Sequence, residues 1–182
     1  MNQFQSFIKR LKKGEDQAFK DLVFSYSSLL MTTAKLYCYQ SRQAEDILQD
    51  SFIVVFQKVN HFTGENEATL IGWMKKIVIN KAFNANKKLS SSQELTVETY
   101  DTDIVIDADG LSNLSYDEVM QLVLNLPDGY RQVFALNVLE GYNHNEIGEK
   151  LGISASSSRS QLNRAKKKLQ LKINSLSNIE IS

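Results

Sequence analysis

The chain has 182 residues, 42% hydrophobic content, one proline and eight glycines, which favours one or two small, mostly helical domains over a disordered protein. No run approaches the ~20 apolar residues of a membrane span, so we expect no membrane insertion. Its one cysteine, Cys38, cannot form an internal disulfide, which fits the reducing cytoplasm, so we expect a cytoplasmic protein. We expect it in the core beside Tyr37 and Tyr39, with a catalytic thiol as the alternative.

The formal net charge is zero, but the charges are unevenly spread. Residues 1–88 carry 13 basic and 8 acidic side chains, and residues 119–182 carry 8 basic and 5 acidic ones. Residues 89–118, between them, carry 8 acidic side chains and no lysine or arginine. Two basic blocks around an acidic spacer predict two surfaces that can bind a polyanion.

Apolar residues at helical spacing predict four helices in the first block, over 4–11, 16–37, 41–59 and 70–89. The first is short and amphipathic, and we expect it to pack on its own domain rather than lie on a membrane surface. Gly64 and polar neighbours interrupt the pattern between the third and fourth helices and predict a loop.

The second block shows a helix-turn-helix pattern. Pro127 is suited to the first position of a helix, and Asn143 with Glu146 three residues later predicts a capping box. Gly152 supplies a turn, and Ser154 is expected to cap the last helix.

The last helix has the composition of a DNA-reading helix. Its small residues Ser156, Ser157 and Ser160 permit close approach to the major groove, and Arg159 can contact a guanine edge. Further basic residues would contact phosphates, at Arg164 and Lys166–Lys168. The alternative is an ordinary amphipathic helix with a solvated basic face.

A second set of polar and basic residues lies on the helix over 70–89 and the loop before it. Trp73 stands near the start of that helix, and its outer face is expected to hold Lys75, Lys76, Asn80, Lys81, Asn84, Lys87 and Lys88. Asparagine, lysine and aromatic side chains beside a polar loop suit contact with unstacked bases. The alternative is a solvated face with a core tryptophan.

Three segments resemble an extracytoplasmic-function sigma factor, the smallest kind of the sigma-70-type bacterial transcription initiation factors. "AEDILQDSFIVVFQKVNHF" looks like the region-two signature, and "LIGWMKKIVINKAFNANKK" is similar to the helix that follows it. "LNLPDGYRQVFALNVLEGYNHNEIGEKLGISASSSRSQLNRAKKKL" looks like region four nearly end to end. The resemblance covers about 15–88 and 114–171.

The resemblance implies an all-α protein of two small helical domains that binds core RNA polymerase and directs it to promoter DNA. The expected domains are 1–88, like sigma region two, and 116–175, a helix-turn-helix like region four. An acidic flexible linker would join them over 89–115. No enzymatic activity, cofactor or metal is implied, and an anti-sigma factor is a further partner to consider.

Three sets of site residues result. The residues expected to open and hold the minus-ten element are Asn66, Thr69, Trp73, Lys75, Lys76, Asn80, Lys81, Asn84 and Lys87. The residues expected to read the minus-thirty-five element are Ser156, Ser157, Arg159, Ser160, Asn163, Arg164 and Lys167. The residues expected to meet the core polymerase are Glu45, Asp46, Gln49 and Asp50.

The chain departs from the family pattern at several positions. Ser158 stands where the family commonly has an apolar core residue, so we expect it to need a carbonyl partner or partial exposure. Gln161 stands where a basic residue is frequent. Leu70 and Gly72 replace the usual aromatic and threonine, and Gly72 should cost ~1 kcal/mol of helix stability relative to alanine.

The sequence leaves two other classes of protein as alternatives. The first is a one-component regulator whose helix-turn-helix binds an operator as a dimer, and which needs no second basic surface around Trp73. The second is a helical adaptor or anti-sigma-like interaction protein. An enzyme is disfavoured because His61, His144 and Cys38 form no metal set and no glycine-rich phosphate loop occurs.

Overall fold

The computed structural model describes residues 3–39, 41–89 and 115–177. The chain divides into two compact units, Met1–Ser91 and Ser92–Ser182. The described residues are mostly helical and contain no β-strand, as expected for an all-α protein. Nearly all of the expected acidic linker, residues 90–114, lies outside the described residues. No helix within the described ranges is both long and apolar enough to cross a membrane.

The described residues of the first unit form four α-helices. They are α1 (Gln3–Lys12), α2 (Asp16–Tyr37), α3 (Ser41–Lys58) and α4 (Glu67–Leu89), with a short 3-10 turn at Val59–His61 after α3. Helices α2, α3 and α4 pack against one another, and α1 packs against α2 and the 3-10 turn. The first helix therefore covers its own domain, as its spacing predicted.

The core of this unit follows the helical spacing of the apolar residues. Leu22, Tyr26 and Leu30 of α2 are buried, whereas Val23, which the same spacing places on the inner face of the helix predicted over 16–37, is 39% exposed. Its neighbour Phe24 is 91% exposed. Val23 lies at the edge of the apolar face of α2. At such a position, the packing of a neighbouring helix decides whether the side chain is buried.

Cys38 is buried at the end of α2, as expected for a core residue. The carbonyl of the preceding Tyr37 accepts a hydrogen bond from Asn86 Nδ2 at 2.7 Å. That buried bond joins the end of α2 to the last turns of α4.

The second unit contains α5 (Tyr116–Leu124), α6 (Asp128–Phe134), a π-helical turn at Ala135–Leu139, α7 (His144–Leu151) and α8 (Ala155–Ser177). Helix α8 packs against α5, α6 and α7, so one long helix organises the unit. Its buried residues form a single stripe with helical spacing, at Ser158, Leu162, Ala165, Leu169 and Ile173.

Local capping determines where these helices begin and end. Asn143 and Glu146 form the predicted capping box, and Gly152 ends α7 with φ of 70°. Ser154 Oγ accepts from the Ser157 N–H at 3.0 Å, as expected for the cap of α8. Pro127 is the N-cap rather than the first helical residue, so α6 begins one residue later than predicted.

Gly148 permits the close turn between α7 and α8. A Cβ atom at this position would lie 2.6 Å from the Ile153 carbonyl oxygen, which is shorter than any ordinary contact. Only glycine lets the chain pass so near α7. The helix-turn-helix therefore depends on a side chain being absent at Gly148, a requirement that the sequence pattern did not reveal.

Candidate nucleic-acid interfaces

The outer face of α8 lies opposite its buried stripe. Ser156, Arg159 and Lys167 are exposed, and Ser160 and Asn163 are half-buried. At about 100° per residue, Ser156, Ser160, Asn163 and Lys167 lie along one line of the helix, with Arg159 on its flank. The structure therefore brings these five predicted residues to one outward face.

Two further predicted residues bond within the unit. The Ser157 hydroxyl lies 2.9 Å from Ser154 Oγ, so it belongs to the N-terminal cap of α8. Arg164 Nη1 lies 3.4 Å from the Tyr130 hydroxyl oxygen and so reaches toward α6. Ser157 and Arg164 therefore flank the outer face and fasten α8 to its surroundings.

The polar core residue Ser158 is fully buried, and its partner is an imidazole. His144 Nδ1 lies 2.9 Å from Ser158 Oγ, so the hydroxyl is satisfied by a side chain and not by the expected carbonyl. His144 is the first residue of α7. The bond links the two helices of the helix-turn-helix.

The environment of His144 favours the neutral imidazole. Burial, together with the positive charges of Arg159 and Lys166, lowers the pKa of His144 below its usual value. Both of those cations lie on α8. A phosphate bound near them would oppose this effect, because it would offset their charge.

Arg131 shows that not every basic residue of this unit belongs to a surface. It is buried, with Nη2 2.7 Å from Asp128 Oδ1 and Nη1 3.1 Å from the Leu126 carbonyl oxygen. The first bond lies within α6, and the second joins α6 to the turn that follows α5. Sequence reasoning assigned Arg131 no role, although its spacing from Asp128 on a short helix suits a local ion pair.

The loop before α4 is built by Asn66 and Thr69. The Thr69 N–H donates to Asn66 Oδ1 at 2.9 Å, and the Asn66 N–H donates to Thr69 Oγ1 at 3.3 Å. Both residues are exposed, but in this structure their side chains cap α4. Each had been expected to contact DNA, and each has a structural role in addition.

Trp73 anchors the start of α4. Its ring lies 5.3 Å from that of Phe62, centroid to centroid, and Phe62 is buried. The tryptophan itself is half-buried, so it is partly core and partly surface. Trp73 therefore packs partly in the core, as one alternative expects, and leaves part of its ring on the surface, as a contact with bases would require.

One face of α4 carries most of the remaining predicted residues. Trp73, Lys76, Asn80 and Asn84 follow each other at three, four and four residues, and the last three are exposed. Lys75 is half-buried and lies about 200° around the helix from Trp73, so it was wrongly placed on this face. The side chain of Lys87 lies outside the described part of the chain.

Lys81 links the two sets of residues expected in the first unit. Its ammonium lies 3.2 Å from Asp50 Oδ2 of α3, and both side chains are partly exposed. A pair in this setting stabilises by only about 0–1 kcal/mol. This ion pair positions Lys81 but is weak enough for its ammonium to exchange Asp50 for another anion.

The acidic face of α3 is open. Glu45, Asp46, Gln49 and Asp50 are all exposed. The same face continues into two exposed apolar side chains, Ile53 and Phe56, of which 55% and 54% are accessible. Sequence reasoning assigned neither residue a role.

Within the described residues, no group of three or more histidine, cysteine, aspartate or glutamate side chains is placed to hold a metal ion.

Family models match both units. The model "Sigma-70 region 2" matches residues 22–91, and "Sigma-70, region 4" matches residues 116–169. Together they span about two thirds of the chain. The second model covers the helix-turn-helix, and the first covers α4 and the loop before it.

Relatives match over nearly the whole length. The ECF RNA polymerase sigma factor SigW of Bacillus subtilis is 26% identical over 181 residues, covering 93% of this chain and 96% of the relative. The ECF RNA polymerase sigma-E factor of Haemophilus influenzae is 26% identical over 185 residues, covering 94% and 96%.

A solved structure titled CnrH in complex with the cytosolic domain of CnrY shares 19% identity and a TM-score of 0.45, covering 93% of this chain and 96% of that one. Another, of the sigma factor RpoE with the anti-sigma factor NepR from Bartonella quintana, has 19% identity and a TM-score of 0.46, covering 86% and 96%.

The chain belongs to the extracytoplasmic-function sigma factors of the sigma-70 family. Its function is therefore to bind RNA polymerase and direct it to promoters. The match to region two decides against a one-component regulator, which needs no such domain.

Proposed function

We propose that the two faces divide promoter recognition between them. The outer face of α8 reads the minus-thirty-five duplex, with Arg159 on a base edge and Lys167 on a phosphate. The loop before α4 and the face of α4 from Trp73 to Asn84 open and hold the minus-ten strand. The observation that carries this proposal is that each unit exposes one line of polar and basic side chains.

The acidic face of α3 is the proposed contact with core polymerase. Glu45, Asp46, Gln49 and Asp50 present carboxylates and an amide to a basic partner surface, and Ile53 and Phe56 extend that face with apolar area. Apolar contact adds affinity where charge alone is screened by salt. This arrangement supports a protein contact on α3 and a nucleic-acid contact on α4.

Lys81 would join the minus-ten contacts by exchanging partners. In the free protein its ammonium pairs with Asp50. A core polymerase that engages Asp50 would release Lys81 toward a DNA phosphate. This exchange supports weak DNA binding by the free protein and stronger binding by the holoenzyme.

Further parts of the proposal rest on the family relationship. The chain acts by binding, without catalysis of its own, and works in the cytoplasm where RNA polymerase and promoters are. An anti-sigma factor is a proposed regulator, which would act by binding the chain and keeping it from core polymerase.

Run-off transcription tests the proposal directly. Core enzyme of the same organism is incubated with genomic fragments, with and without the protein. We expect discrete transcripts only when the protein is present. Strong operator binding by a free dimer, without any specific transcript, would refute the proposed function.

A matched pair of variants tests the face of α4. Lys76→Ala should weaken promoter binding by the holoenzyme and lower the slope of its salt dependence by about 0.7, the value for one single-strand phosphate contact. Lys75→Ala, on the other side of the same helix, should leave that slope unchanged. Equal effects of both variants would contradict the assignment of the face.

A further inference from the structure

Two side chains of helix α1 bind the main chain of the loop before α4. Lys12 Nζ donates to the Phe62 carbonyl oxygen at 2.7 Å, and Gln5 Nε2 donates to the Glu65 carbonyl oxygen at 3.1 Å. The two bonds span 50 and 60 residues of sequence. Because both acceptors are backbone carbonyls, these bonds constrain the path of the loop rather than one of its side chains.

The same loop is held from the side of α4. The Phe62 ring is buried against Trp73. A Cβ atom at Gly64 would collide with the Phe62 ring, so the chain folds tightly over that ring. The side chains of Thr63 and Glu65 remain exposed. The loop is thus fastened on one side and open to solvent on the other.

A further bond fixes the first residue of α4. The Tyr26 hydroxyl of α2 donates to Glu67 Oε1 at 2.8 Å. Burial and the Glu67 carboxylate raise the pKa of Tyr26 to about 12, so the phenol keeps its proton and remains a donor. The loop over 62–66 is therefore anchored at both ends, by Lys12 at Phe62 and by Tyr26 at Glu67.

We propose that α1 is a brace that presets the 62–66 loop for capture of an unstacked base of the minus-ten strand, with Lys12 and Gln5 as positioning residues. This inference rests on the proposed function of the loop. A flexible loop would lose conformational entropy when it ordered around the base, whereas a loop already ordered by α1 loses little. Lys12 acts through the Phe62 carbonyl and does not itself contact DNA.

The test uses holoenzyme on a promoter identified by run-off transcription. The minus-ten element carries 2-aminopurine, whose fluorescence rises when the base leaves the stack. The double variant Lys12→Met with Gln5→Ala is compared with a control that alters the same residue types nearby, Lys13→Met with Gln17→Ala. Lys13 is exposed, and Gln17 bonds to Asp21 within α2.

We expect the double variant to open the promoter about 5-fold to 50-fold less well, from the loss of two hydrogen bonds. Gln5→Ala alone changes an exposed side chain and should give a smaller defect without harming the fold. Lys12→Arg keeps a donor and should restore opening. The slope of promoter binding against salt should not change in Lys12→Met, because no phosphate contact is lost.

The outcomes distinguish failure of the brace from failure of the proposed function. If wild-type holoenzyme opens the promoter and the double variant opens it as well as the control does, the brace is refuted and the proposed function stands. A lower salt slope in Lys12→Met would also overturn the brace, since Lys12 would then be a DNA contact. If wild-type holoenzyme opens no promoter, the proposed function fails and the brace with it.

Discussion

The bond between His144 and Ser158 should be measurable as a coupling between α7 and α8. Ser158→Ala removes a fully buried hydroxyl and leaves His144 Nδ1 without the partner it has at 2.9 Å. Loss of that partner should cost about 1–2 kcal/mol, and the better helix propensity of alanine should offset about 0.5 kcal/mol. We expect a net loss of about 0.5–1.5 kcal/mol in the stability of the second unit.

A double-mutant cycle isolates the bond from these other effects. His144→Ala, Ser158→Ala and the double variant should show an interaction energy of about 1 kcal/mol, because each single change already breaks the bond. Ser156→Ala is the control. It lies on the exposed face of the same helix and should be neutral or slightly stabilising through helix propensity.

Amide hydrogen exchange followed by mass spectrometry suits this measurement, because it reports opening of α7 and α8 within the full chain. A global melting temperature would combine the two units. Effects of the single variants that add within about 0.3 kcal/mol would refute a direct bond. So would a Ser158→Ala variant that exchanges as slowly as Ser156→Ala.

Three further predictions concern pH, helix stability and specificity. The pKa of His144 is lowered in the fold, so the unfolded chain binds more protons than the folded chain once the pH falls to about 6.5. Stability should therefore fall as pH falls through that value, and His144→Gln should flatten the dependence in urea unfolding. Gly72→Ala places a Cβ atom in open space and should raise the stability of the first unit by about 0.5–1 kcal/mol in hydrogen exchange. Arg159→Ala should weaken the free energy of promoter binding by about 1–3 kcal/mol and relax specificity at one upstream base in a binding-site selection. A uniform loss across sequences would show a phosphate contact instead.

Much of the fold followed from local patterns. The capping box of Asn143 and Glu146, the cap at Ser154 and the left-handed Gly152 each depend on residues close in sequence. Helical spacing likewise predicted the helices of both units. These features could be read from the chain because the interactions that produce them act over one or two helical turns.

Side-chain partners across the fold could not be predicted in this way. The imidazole that satisfies Ser158 comes from another helix, and the ion pair of Lys81 with Asp50 crosses 31 residues. Lys75 was placed with Lys76, although adjacent helical residues point in different directions. The sequence pattern grouped these residues by chemical type. Their positions around the helix decide which of them share a face and can contact the same partner.

By itself, the sequence determined the helices, the helix-turn-helix and the family, because periodicity, caps and motif order are written along the chain. Only the tertiary structure decided that α1 holds the loop at Phe62 and Glu65. The physical reason is distance along the chain. A hydrogen bond between residues 50 or 60 positions apart forms only once packing has brought their helices together, and no local pattern records it.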